Sequence, residues 1–386
     1  MRRVVALSLV LLGVFTACSD DTPSSAPQST SGAVAQSTAP QSSVPPTVAA
    51  TVPPPTAAPA TTSPTPAGWE RVDAPSQCVC ADGSPYSYWV HQGDPTKVVF
   101  FLQGGGACFD ATTCAFGSGA YKTTVVPGDD PATHATGIFD LTDSRNPLAG
   151  YSFVFAPYCT GDAHIGDATH QYGPQLTVQH KGSVDASTAL GDLAARFPDA
   201  TQVVVAGESA GSIPAPLYAG LAHDLLPNAA ITVIADGSGA YPDVPAVNAT
   251  IGALWGTEAA IPPWPENAGL TAATWSVPGL FVQAHKHDPD IIFGRHDYAF
   301  DRVQTFFGAL AGFAPDDLVT LIDKNETQIE QAGVDLHSYI APGETHTVIG
   351  SPQFYTETVE GVPLVEWVSD LIRRKPDPDV HCVECH

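Results

Sequence analysis

Ser209 stands in Gly207-Glu208-Ser209-Ala210-Gly211, directly after the β-rich run Thr201-Gln-Val-Val-Val-Ala206. A G-x-S-x-G between strand and helix is the signature of a nucleophile elbow, a turn so tight that only small residues fit beside the serine. The strained backbone lifts the hydroxyl out of the sheet to where a base and a carbonyl can reach it. Such a serine does acyl transfer. It needs a histidine to take its proton, a carboxylate to orient that histidine, and amide donors for the oxyanion.

The rest of the chain offers each part. In the α/β-hydrolase order the acid follows the nucleophile and the histidine comes last. His346, in Gly343-Glu344-Thr345-His346 after a strand-like run, is the expected base, with His285 and His287 as alternatives. The acid usually follows the second strand after the nucleophile, which selects Asp288; Asp236 is the runner-up, with Asp290 and Asp297 behind it. Gln103-Gly104-Gly105-Gly106 follows the apolar Phe101-Leu102 and resembles an HGGG-type oxyanion loop, with the amide of Ala210 as partner donor. A phosphate-binding loop would need a following Lys-Ser/Thr or dinucleotide spacing, and neither is there. Glu208, in the variable elbow position, either orients substrate or supports the loop. Asp162 and His164 either line the pocket or build a turn.

These residues need a sheet beneath them. Apolar runs at Tyr86–Val90, Lys97–Leu102, Tyr151–Ala156, Gln202–Ala206, Ile231–Ala235, Leu280–Ala284 and Ser338–Ile340 read as strands buried on both faces. Val184–Phe197, Pro216–Leu225, Asp301–Leu310 and Leu364–Arg373 read as helices. The alternation predicts an α/β class, a doubly wound, mostly parallel sheet in one α/β-hydrolase-like domain over 68–386. Pro214 and Pro216 predict that the helix after the elbow starts late.

The first part of the chain reads differently. Met1-Arg2-Arg3, an apolar stretch to Phe15 and small residues before Cys18 predict a signal peptide over 1–17. Cys18 follows Thr-Ala as in a bacterial lipobox, with Phe15 where Leu, Val or Ile is usual, so lipidation at Cys18 is the expectation and cleavage with release the alternative. Residues 18–67 are dominated by Ser, Thr, Pro and Ala, too polar and small to bury a core, and predict a disordered tether. The net charge of −25, from 40 acidic and 15 basic residues, argues against a nucleic-acid partner. The chain is expected to be exported, as a cell-surface lipoprotein or free, to be a monomer, and to touch a membrane only through Cys18.

Taken together, Gln-Gly-Gly-Gly-Ala-Cys at 103–108 with Cys114, Pro157-Tyr-Cys-Thr-Gly-Asp162, Gly207–Gly211 and Thr345-His346 resemble the pectin acetylesterase and Notum-like carboxylesterase family, in a bacterial member. The resemblance spans roughly Cys80 to Trp367. It implies an α/β-hydrolase fold and a metal-free, cofactor-free Ser209–Asp288–His346 triad, with oxyanion donors at Gly105, Gly106 and Ala210. It implies a Cys108–Cys114 bridge; Cys80 is expected to pair with Cys159. It also implies a serine carboxylesterase acting on short acyl esters, acetyl above all, on a small carrier or glycan. The acidity of the chain disfavours a highly charged carrier. Ala107 departs from the Trp that plant members carry there, which alters the pocket wall. A polyester or feruloyl-type esterase is the alternative within enzymes. A silent cell-surface binding protein would have lost a triad residue or an oxyanion glycine, and all are present. The terminal His381-Cys382-Val-Glu-Cys385-His386 looks like a zinc half-site; in an exported chain the reading taken is a bridge from Cys78 to Cys382 or Cys385.

Overall fold

The computed structural model describes residues 68–313 and 317–385; the expected signal peptide, Cys18 and the tether lie outside them. Nine strands make the central sheet: β1 Trp69–Asp73, β2 Ser87–His91, β3 Asp94–Leu102, β4 Tyr151–Ala156, β5 Gln202–Glu208, β6 Ala230–Asp236, β7 Ile292–Tyr298, β8 Leu336–Ala341 and β9 Val380–His381. Their spatial order is β1-β2-β4-β3-β5-β6-β7-β8-β9. β2 runs antiparallel to both β1 and β4, and every pair from β4 to β9 is parallel.

Residue alternation divides the strands between two cores. Val98, Phe100, Leu102, Val203 and Val205 join one cluster with α1 (Gly182–Arg196), α2 (Ala215–Leu225) and, beyond α3 (Pro245–Trp255), α4 (Val277–His287). Val99, Phe101, Val204 and Ala206 join the other, which runs on past α5 (Arg302–Leu310) and α6 (Leu318–Gln331) to α7 (Leu364–Ile372). Strands buried on both faces need no polar alternation, hence the continuous apolar runs. The doubly wound α/β sheet of the sequence reading is what the chain forms.

Two segments differ from that reading. Leu280–Ala284 is not a strand but the middle of α4. Ser276 caps this helix by accepting from the Gly279 amide at 3.2 Å, and Pro278 sits in its first turn, where a missing N–H costs nothing. The strand that follows β6 is β7, with the sequence Ile-Phe-Gly-Arg-His-Asp-Tyr. Its charged residues hid it, but each is paired: His296 with Asp236 at 2.8 Å, and Arg295 with Asp297 at 2.9 Å and Glu326 at 3.2 Å. Burial of such groups is tolerable only when paired.

Cys80–Cys159 and Cys108–Cys114 are bonded as expected. Cys78 does not reach the C-terminus. It lies in the core beside α1, its thiol 3.2 Å from Thr188 Oγ1, while Cys382 bonds Cys385 just after β9. β9 is at the opposite edge of the sheet from β1 and β2, so no bridge can span the two. Among the described residues no helix is long and apolar enough to cross a membrane.

Candidate active site

β5 ends at Glu208, a 3₁₀ turn spans Ser209–Gly211, and α2 begins only at Ala215, the late start that the two prolines require. Ser209 has φ +53°, a left-handed value that a non-glycine residue adopts only when its surroundings enforce it. The enforcement is steric. A Cβ on Gly207 would lie 2.2 Å from the Gly211 carbonyl oxygen, and one on Gly211 would lie 2.0 Å from the Leu102 carbonyl oxygen. The elbow is thus wedged against the end of β3.

The glycine loop leaves β3 beside it. The Lys122 amide donates to Gly105 O at 2.9 Å and the Ala107 amide to Ala120 O at 3.2 Å, which ties the loop to the segment around Tyr121. Gln103 Oε1 accepts from Lys122 Nζ at 2.7 Å and from the Tyr158 amide at 3.1 Å. Cys108–Cys114 closes the loop's far end, and the Cys108 amide donates to Gly161 O at 3.0 Å. Gly104, Gly105, Gly106, Glu208, Ser209 and His346 line one open cavity.

His346 follows β8 and meets a carboxylate there, but not Asp288. Its Nδ1 lies 2.6 Å from Asp301 Oδ2. Asp301 is fully buried at the start of α5, where its other oxygen caps the helix by accepting from the amides of Val303 at 2.8 Å and Gln304 at 3.0 Å. Gln304 Nε2 donates to Asp301 Oδ2 at 3.1 Å and to Asp297 Oδ1 at 2.9 Å. His346 Nε2 is buried and has no hydrogen-bond partner among the described residues. Burial pushes the imidazole's pKa down; the hydrogen bond and charge of Asp301, then the charges of Asp236 and Glu208, outweigh it, so the net shift is upward.

The other candidates have other places. Asp288 ends α4, and its carboxylate faces His223 at 3.1 Å. The second strand after β5 is β7, and Asp301 follows β7. Asp236 holds the His346 loop by its backbone, accepting from the amides of Val348 at 2.7 Å and Ile349 at 2.9 Å. Asp290 is exposed beyond α4, and Asp297 bonds the Gly239 amide at 2.8 Å. His285 is in the last turn of α4, and His287 lies between Glu266 at 2.7 Å and Asp224 at 2.8 Å, stacked on Trp264. Asp162 and His164 are buried framework. Asp162 accepts from the Gly182 amide at 2.8 Å at the start of α1, and burial raises its pKa to about 6. His164 Nε2 meets Gln103 O at 2.9 Å, with burial lowering its pKa to about 4.

A second cavity also reaches Ser209, about 960 Å³ of space including its solvent-facing side. Its wall is apolar: Phe109, Ile213, Ile251, Trp255, Leu280 and Phe307 among others, with Ala107 at the loop end. Among the described residues three groups bring potential metal ligands within 4.8 Å of one another, and none lines either cavity. Two of them use disulfide-bonded cysteines, Cys108 with Cys114 and Cys382 with Cys385; the third is Glu326, Glu330 and Asp379.

Residues 69–255 match the family model described as pectinacetylesterase. No curated protein matches the sequence significantly. Among solved structures, that of the Wnt deacylase Notum from Drosophila aligns with a TM-score of 0.57 at 16% identity, covering 81% of this chain and 96% of that one.

Proposed function

We propose, from the match of residues 69–255 to the pectinacetylesterase family model, that the chain is a serine ester hydrolase of that family for apolar acyl esters, with Ser209 as nucleophile, His346 as base and Asp301 as its orienting acid. The observation that carries this reading is the state of His346. One ring nitrogen is fixed by a buried carboxylate, and the other is unpartnered at a cavity that Ser209 also lines.

Ser209 Oγ attacks the ester carbonyl while His346 Nε2 takes its proton. Asp301, holding Nδ1–H, stabilises the imidazolium and fixes its orientation. The amides of Gly105, Gly106 and Ala210 receive the oxyanion, each donor contributing about 10²–10³ in rate. His346 then protonates the departing alkoxide, leaving an acyl-Ser209, and water activated by the same imidazole releases the acid. His346 must be neutral to begin, so its raised proton affinity sets the acid limb of kcat/KM above the ordinary histidine value.

The two cavities divide the substrate. The apolar one suits the acyl group, and the open one, with Lys122, Ser118 and Thr347, suits the alcohol. An acetyl group would fill little of the apolar space, so the geometry favours longer or aromatic acyl groups over the acetyl that the resemblance implied. Export fits the same reading, since three disulfides among the described residues suit an oxidising compartment.

A series of p-nitrophenyl esters tests it. Each buried CH₂ contributes about 0.8 kcal/mol, so kcat/KM should rise roughly fourfold per carbon from C2 toward C8. A maximum at C2 would return the reading to an acetylesterase.

A further inference from the structure

β5 and β6 end in register at Glu208 and Asp236, so two carboxylates stand side by side at the active end of the sheet. Their surroundings differ. Asp236 is fully buried and accepts three hydrogen bonds, from His296 Nδ1 and the amides of Val348 and Ile349. Glu208 has the Gly104 amide as its facing donor, and no side chain donates to it among the described residues. Its carboxylate packs against the loop that carries His346, where a Cβ on Gly350 would lie 3.1 Å from Oε2. It lines the same cavity as Ser209 and His346.

We propose that Glu208 is a positioning residue for the hydrolysis: ionised, it stabilises the imidazolium that His346 becomes, and protonated, it withdraws that support. This rests on the triad reading above. The charged groups facing Glu208 are Asp236 on β6, His346 on the loop after β8, and Lys122 beyond the glycine loop, itself paired with Asp129 at 2.5 Å. Burial, then the charge of Asp236, push Glu208 up to about 7 against the opposing pull of His346, the Gly104 amide and Lys122. Its charge therefore changes near neutrality, and His346, whose proton affinity is also raised, must lose its proton to act. A carboxylate in this position cannot relay the serine proton, because His346 Nδ1 already belongs to Asp301; its action is through space.

Glu208→Gln keeps the shape and removes the charge. At pH 8.5 the variant should lose about tenfold in kcat with KM within about twofold, the equivalent of about one pKa unit on His346. Wild-type log kcat/KM should fall on its acid side with a slope no steeper than one, because protonating Glu208 costs about tenfold and lowers the proton affinity of His346 by the same factor, so the wild-type and Glu208→Gln profiles should converge at low pH. In Glu208→Gln the slope should be one and the limb displaced to lower pH by about one unit. Glu208→Asp, which retains a charge, should recover part of the lost rate. Wild-type kcat in Glu208→Gln, or a loss confined to KM, overturns the proposal. Should Glu208→Gln fail to fold, Glu208→Ala is read in the same way, and an acid limb left at its wild-type position overturns the proposal as well. Ser209→Ala is run in parallel: activity surviving there refutes the triad reading, whereas an inactive Ser209→Ala beside an unaltered Glu208→Gln refutes this inference alone.

Discussion

On one side of Ser209 the backbone is fixed by contacts that admit no Cβ and by two disulfides; on the other, His346 is fixed by side-chain hydrogen bonds converging from three elements. The elbow and glycine loop pack so closely that Gly207 and Gly211 have no substitute, and Cys108–Cys114 and Cys80–Cys159 fasten the loops around them. The acid–base side has Asp301 at the start of α5, Asp236 at the end of β6 and Gln304 between Asp301 and Asp297. Steric fixation dictates residue types at set spacings, and so writes a motif. A hydrogen-bond network asks only that a carboxylate arrive at the right point, whichever segment brings it.

The largest effect that would break this comparison is on the reacting atoms. Ser209→Ala or His346→Ala should each lower kcat on the order of 10⁵–10⁶-fold, and a fluorophosphonate probe should label the wild type and not Ser209→Ala. Labelling of both would remove Ser209 from its role. A smaller effect separates the two acids. Asp301→Asn should cost about 10⁴ in kcat by leaving His346 in the wrong tautomer. Asp288→Asn should leave kcat within about twofold while lowering thermal stability through its lost His223 contact. The reverse order would reinstate Asp288. The smallest effect sharpens the nucleophile side. Opening Cys80–Cys159 by double Ser substitution should cost about 2–4 kcal/mol of stability, read by denaturant unfolding. Opening Cys108–Cys114, which spans six positions beside the oxyanion loop, should cost less stability and more rate. Equal rates with and without that bridge would free the loop from any need of it.

The legible and illegible parts of the sequence divide along the same line. Strands β3, β4, β5 and β6, the elbow, the glycine loop and His346 could be read because continuous apolar runs and small-residue clusters suit few local structures besides buried strands and tight turns. Asp301 could not, because the strand count went wrong in two places at once. Leu280–Ala284 is a short apolar run whose periodicity suits helix and strand alike; Ser276 with Pro278 at its start and His285, Lys286 and His287 at its end were the helix signals. β7 carries Arg295, His296 and Asp297, which look unlike a buried strand until Glu326 on α6 meets Arg295 and Asp236 on β6 meets His296. Those partners are distant in sequence, so no local pattern announces them. The Cys78 expectation failed for a related reason: cysteine counting carries no information about which edge of a sheet each residue occupies.

Asp301 caps α5, and further along that helix Phe307 lines both cavities at Ser209. Acyl preference and turnover therefore share one rigid body on this wall. Engineering for a different acyl chain has a free hand on α3 and α4, where Val247, Ile251 and Leu280 line the apolar space from elements that carry none of Ser209, Asp301 and His346. A substitution that tilts α5 to enlarge the pocket would swing the carboxylate away from His346 in the same movement. Selection for new substrates should leave its record on the α3–α4 side and spare the first turn of α5.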